Sequence, residues 1–167
     1  MAEKELILKE KLEHSGIFDF PSFYQFAHSW FKEEQYNGVD EEKYAEKSDG
    51  AKRDIDIEWK AYKRVTDYFK IEHKVKYEIK GLTEVEVEID GKKKNMNKGK
   101  MTVEITTTLV MDYDSKWETS PFSRFMRDLY NKYIIPSRVG SMRDKAESNA
   151  QNFKGELKAF LDLTARR

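Results

Sequence analysis

The chain has 167 residues, with 31 Lys and Arg against 31 Asp and Glu, so 37% of it is charged while the formal net charge is zero. That balance excludes bulk attraction to a polyanion, and the lack of cysteine excludes a disulfide framework, a thiol nucleophile and a cysteine-ligated metal centre. The length suits a single domain, residues 1–167, and with no targeting peptide and no apolar run of membrane-spanning length the expectation is a cytoplasmic protein without a transmembrane segment.

The opening stretch ELILKEKLEH fits two periods: Leu6, Leu8 and Leu12 suit a strand, Leu8 and Leu12 alone a helix. From Phe20 to Gln35 the pattern is unambiguous. At 100° per residue, Phe20, Phe23, Tyr24, Phe26, Ala27, Trp30 and Phe31 fall within an arc of about 160°, opposite Ser22, Gln25, Ser29, Lys32 and Glu33. This predicts an amphipathic helix with an aromatic face, capped by Asp19 or Ser22 and carrying Pro21 in its first turn. Residues 37–53, NGVDEEKYAEKSDGAKR, are almost free of apolar side chains and hold two glycines, which predicts a mobile loop.

Residues 54–80, DIDIEWKAYKRVTDYFKIEHKVKYEIK, alternate apolar and charged and are too long for one strand of a small domain, so they must fold back as a hairpin. Apolar side chains occupy odd positions on both arms, which requires an odd-length loop. Centring it on Thr66 sets Ile57, Trp59 and Ala61 opposite Val75, His73 and Ile71, and Asp56, Glu58 and Lys60 opposite Lys76, Lys74 and Glu72. The charged face then reads as a solvated wall of neutralising pairs rather than a binding surface. After Gly81, TEVEVEID repeats the alternation; Asp90-Gly91 suits a tight turn, KKKNM a short return strand and Asn97-Lys98-Gly99 a second turn within a lysine-rich hairpin tip, 90–99. Lys100 to Tyr113 is a further strand, with Met101, Val103, Ile105, Leu109 and Met111 inward.

The period then changes to 3.6. Ser120-Pro121 opens a helix with Phe122, Phe125, Met126, Leu129, Tyr130 and Tyr133 on one face, ended or kinked at Pro136. Ser137 caps a final helix, 138–163, whose apolar residues form a stripe narrow enough to dock on one neighbour. The predicted fold is α+β: a four- to five-stranded antiparallel meander with an N-terminal aromatic helix and two C-terminal helices covering one face.

Chemistry is sparse. His73 sits on an apolar face with no partner visible in sequence and reads as a hydrogen-bonded core or cleft-edge histidine; His14 and His28 lack metal-ligand spacing. Asp112, Asp114 and Glu118 crowd one stretch without matching a calcium loop, and a strand-to-helix turn is the better reading. No catalytic constellation, metal site or cofactor motif emerges, so a non-enzymatic interaction or adaptor module is expected, with a protein partner or self-association. Three surfaces are candidates. Val139, Met142, Ala146, Phe153 and Phe160 follow the spacing of a dimer seam, interrupted by Asn149 and Glu156. Phe23, Trp30, Trp59, Ala61 and His73 would line a cavity for an apolar small molecule or lipid between sheet and helix. Lys92, Lys93, Lys94, Lys98 and Lys100 are candidate contacts for a phosphate-bearing surface; with no aromatic residue between them, nucleic acid is not expected.

Overall fold

The computed structural model describes residues 3–113, 120–130, 132 and 136–165. Their order is β1 (Glu3–Phe18), α1 (Phe20–Glu33), β2 (Val39–Asp49), β3 (Lys52–Arg64), β4 (Phe69–Ile89), β5 (Lys92–Met111), α2 (Pro121–Leu129) and α3 (Pro136–Ala165). The strands form one antiparallel sheet in the order β1-β5-β4-β3-β2, so the last four make a meander and β1 closes onto β5. The predicted α+β class stands.

The ambiguous opening is a strand. Its alternation becomes legible beside β5, where Leu8 and Leu12 share the covered face with Ile105's neighbour Thr107 and with Val103, and a bulge between Leu6 and Leu8 resets the register. The predicted loop 37–53 is instead β2 and the turn into β3. Every residue of β2 except Val39 is exposed, so no hydrophobic pattern marks it; its ladder with β3 holds it. Tyr24 and the Trp59 indole N–H both donate to Glu41, tying β2 to α1 and the core.

The β3–β4 hairpin keeps the expected parity but is centred on Asp67, two positions along in pairing sum: Ile57 faces Tyr77, Trp59 faces Val75 and Ala61 faces His73. Thr66 opens the loop rather than centring it, because its Oγ1 accepts the N–H groups of Tyr68 at 3.1 Å and Phe69 at 2.9 Å. Glu58 therefore faces Lys76, but Lys60 faces Lys74 and Asp56 faces Glu78. Lys60 still reaches Glu72 diagonally, at 3.4 Å.

β4 does not end at Gly81. Gly81 adopts φ 63° in a bulge and donates its N–H to Asp54 Oδ1 at 2.9 Å, after which the strand continues to Ile89. Opposite the bulge, a Cβ on Gly99 would lie 3.1 Å from the Lys80 carbonyl oxygen and 3.2 Å from Leu82 Cα. The predicted Asn97-Lys98-Gly99 turn is thus the interior of β5, and the turn of this hairpin is Asp90-Gly91, with φ 53° and 77°.

Helices α1 and α3 cover one face of the sheet. Asp19 is the cap of α1, accepting from Ser22 N at 3.3 Å, and Phe20, Phe23, Ala27, Trp30 and Phe31 are its buried residues. Beneath α1 and the later turns of α3 lies the larger core cluster; Phe69, Ile71, Leu109 and Met111 form a smaller one with Val139 and Ala146 of α3. Pro136 starts α3 rather than ending α2. α2 buries none of its own residues, and it is held at one end of the sheet by Arg127 against Asp112 at 3.9 Å and Tyr130 against Tyr68 at 6.0 Å between centroids.

Candidate functional site

The five residues proposed to line a cavity do converge: Phe23, Trp30, Trp59, Ala61 and His73 are all at most 5% exposed. The space between them is occupied. The Phe31 ring lies 5.1 Å from Trp30, 6.4 Å from Trp59, 6.3 Å from His73 and 4.8 Å from Phe153 of α3, and Tyr36 fills the gap beside His73 at 5.3 Å. These ring contacts are those of a packed core.

His73 is the polar centre of that core. Its Nδ1 is 2.8 Å from Thr107 Oγ1 and its Nε2 is 2.6 Å from the Tyr36 hydroxyl, which Asn149 of α3 approaches at 3.4 Å. One arrangement satisfies all of these groups: Asn149 donates to Tyr36, Tyr36 donates to Nε2, and Nδ1–H donates to Thr107. Desolvation lowers the His73 pKa to about 4 and raises that of Tyr36 far above its ordinary value, so both stay neutral near pH 7. The network ties α3, the segment after α1 and two strands together. His14 lies in β1 and His28 on α1, both apart from His73, and among the described residues no group of His, Asp or Glu could hold a metal ion. Of the three acids, Asp112 is buried beside Arg127, while Asp114 and Glu118 lie outside the described residues.

The lysines are only partly gathered at the tip: Lys92, Lys93 and Lys94 directly follow the Asp90-Gly91 turn, where Lys93 pairs with Glu86 at 3.7 Å and Lys94 with Asp19 at 3.6 Å, while Lys100 stands opposite Lys80 and Ser15 in the body of the sheet. Lys92 faces Ile89 beside the turn and Lys98 faces Thr83. The proposed dimer seam is taken up within the chain. Val139, Ala146 and Phe153 are buried in the two cores, Met142 packs against the smaller one, and Phe160 stacks on Phe26 of α1 at 4.7 Å.

A concave site does appear where the start of α1, the last turns of α3 and the arm of the β4–β5 hairpin meet. This cleft, about 360 Å³, has apolar walls of Ile89, Met96, Phe160 and Leu163, with Asp19, Ser22 and Lys94 at its polar edge. Phe160 is braced by Phe23 at 6.2 Å as well as by Phe26, and Leu163 is 60% exposed, so one wall is anchored and the other open. The Asp19 carboxylate accepts from Ser22 N and, at 2.9 Å, from Ser22 Oγ, so the Ser22 hydroxyl is engaged in the helix cap. Asp19 and Met96 also border a neighbouring depression of about 420 Å³ that reaches Arg53 and Glu84. Of the residues that build the cleft, the sequence singled out Lys94 and Phe160 for surface contacts and Asp19 and Ser22 as helix caps, none of them for this site. Leu163 was not singled out, because it follows the last residue of the apolar stripe, and Ile89 read as ordinary strand alternation. No protein-family model, curated protein or solved structure matches the chain.

Proposed function

We propose that this chain is a non-enzymatic binding protein for an amphipathic anion, a molecule with an alkyl chain and a carboxylate-like head, held in the cleft between α1, α3 and the β4–β5 arm. The observation that carries this reading is the meeting of four apolar side chains with one half-exposed ammonium group in a concavity of ligand size: Ile89, Met96, Phe160 and Leu163 beside Lys94, whose side chain is 55% exposed. An alkyl chain along the apolar walls would remove Leu163 from water, and an anionic head would compete with Asp19 for Lys94. The reading joins two expectations from the sequence, an apolar ligand and a lysine-borne anion contact, at Lys94, which only the second of them named.

Calorimetric titration with dodecanoate below its micellar concentration, and with dodecanol in parallel, tests it. Wild type should bind dodecanoate saturably at one site and more tightly than dodecanol. Lys94→Gln should weaken dodecanoate about fivefold and leave dodecanol unchanged, the usual size of a half-exposed charge contact. Leu163→Asp, at an exposed position, should abolish both. Absence of saturable binding to wild type would sink the proposal.

A further inference from the structure

The uncovered face of the sheet is unevenly charged. Toward the β3–β4 turn, three successive rows on this face run Lys60–Lys74–Thr106–Lys9, Tyr62–Glu72–Thr108–Leu6 and Arg64–Lys70–Val110–Lys4, with Val110 itself buried beneath its neighbours. Glu72 is engaged by Lys60, whereas among the described residues Lys4, Lys9, Arg64, Lys70 and Lys74 have no carboxylate within ion-pair distance. Among the described residues the exposed acids at this end are Glu3 at the start of β1, Asp67 in the turn and Asp128 on α2, the last paired with Arg127 at 3.4 Å. Leu6, between Lys4 and Lys9, is 64% exposed. α2 is fixed to this same end through Asp112 and Tyr68, and it leaves Phe122 and Phe125 70% and 60% exposed. Of the five large apolar or aromatic side chains that the described residues leave exposed, three are therefore here, beside five cations without acidic partners.

We propose that this end of the molecule docks on an anionic lipid bilayer, the cations meeting phosphate and carboxylate headgroups while Leu6, Phe122 and Phe125 enter the interface. Charge complementarity selects an anionic partner, and the exposed apolar side chains select a bilayer over a nucleic acid, whose phosphates would leave them in water. The tyrosines of the patch are also ill placed to stack on bases. Lys70 lies 5.0 Å from the Tyr62 ring centroid and 5.7 Å from that of Tyr113, and Arg64 lies 5.5 Å from Tyr113, so cations already sit over both rings. The surface is at the opposite end of the sheet from the cleft, and its test is independent of ligand binding.

The experiment is vesicle co-sedimentation with phosphatidylcholine alone and with phosphatidylcholine plus phosphatidylserine, at low and moderate salt, alongside a short single-stranded RNA. Wild type should bind only the vesicles containing phosphatidylserine, and less at higher salt. Lys9→Ser with Lys74→Ser should weaken that binding about thirtyfold, two surface charges' worth. Phe122→Ser with Phe125→Ser should weaken it at least about tenfold while the far-ultraviolet circular dichroism stays unchanged. Binding that ignores lipid charge, no vesicle binding, or lysine-dependent binding of RNA that the phenylalanine changes leave intact would each overturn the proposal.

Discussion

At the scale of single residues, two of the core's polar groups have opposite consequences. His73 is neutral when folded because burial lowers its pKa to about 4, against an ordinary 6.5. Between those two values the unfolded chain binds the extra proton, so stability is fully present above pH 6.5 and falls as the pH drops toward 4. The loss between pH 7 and pH 5 should be roughly 2 kcal/mol from this group. Urea unfolding of wild type and His73→Gln at both pH values isolates it: the variant should be less stable at pH 7 but lose less on acidification, and parallel losses would contradict the assignment. Tyr77 is the reverse case. Its hydroxyl is buried without a hydrogen-bond partner among the described residues, and its ring packs edge-on against those of Trp59 at 4.9 Å and Phe23 at 6.0 Å between centroids. Tyr77→Phe removes an unsatisfied polar atom and should raise the unfolding free energy by about 1 kcal/mol; a loss instead would reveal a partner for that oxygen. The sequence placed His73 on an apolar face. Its partners were not legible, because Tyr36, Thr107 and Asn149 come from three separate parts of the chain.

At the scale of elements, legibility followed burial. The helix over Phe20–Glu33 and the inward side of Met101–Met111 were readable because one face of each is buried, whereas β2, which buries almost nothing, looked like a loop. The β3–β4 hairpin lies between these extremes: parity was fixed by the apolar face, but a shift of two in pairing sum preserves parity, and the observed register is the one in which the loop satisfies its own backbone, through the Thr66 side chain and the Phe69 carbonyl. The observed register creates one row of alternating charge across all five strands, Lys43–Glu58–Lys76–Glu104–Lys11. Lys76 stands between two glutamates, so Lys76→Glu should cost about 1 kcal/mol, and adding Glu58→Lys should recover part of it. Lys74 faces Lys60 and Thr106 instead, so Lys74→Glu should be neutral or stabilising by a few tenths of a kcal/mol. The register centred on Thr66 would instead set Lys76 opposite Asp56 and Lys74 opposite Glu58, so that both changes would be costly, and chemical denaturation of the two single variants separates the two cases.

At the scale of the whole molecule, the two ends of the chain close the fold on itself. β1 pairs with β5, and α3 lies against β1 through Lys154 and Gln151, which contact Glu10 at 3.0 and 2.7 Å. The apolar stripe of α3 is thereby buried inside one chain, which removes the surface on which a helical homodimer would form. Among the described residues the two sheet edges, β1 and β2, offer another copy unpaired strand backbone. β2 carries seven charged residues among its eleven, VDEEKYAEKSD, so a second copy pairing along it would have to desolvate those groups or match them in register. Sedimentation equilibrium should therefore give the monomer mass, 19.8 kDa, across a wide concentration range. Lys43→Val with Lys47→Val gives β2 two β-branched side chains on its outward side in place of two charges, and should bring concentration-dependent association without unfolding, because both positions are exposed. A wild-type dimer would show that an edge pairs despite its charges, and a variant that stays monomeric would show that charge on β2 is not what keeps the chain single.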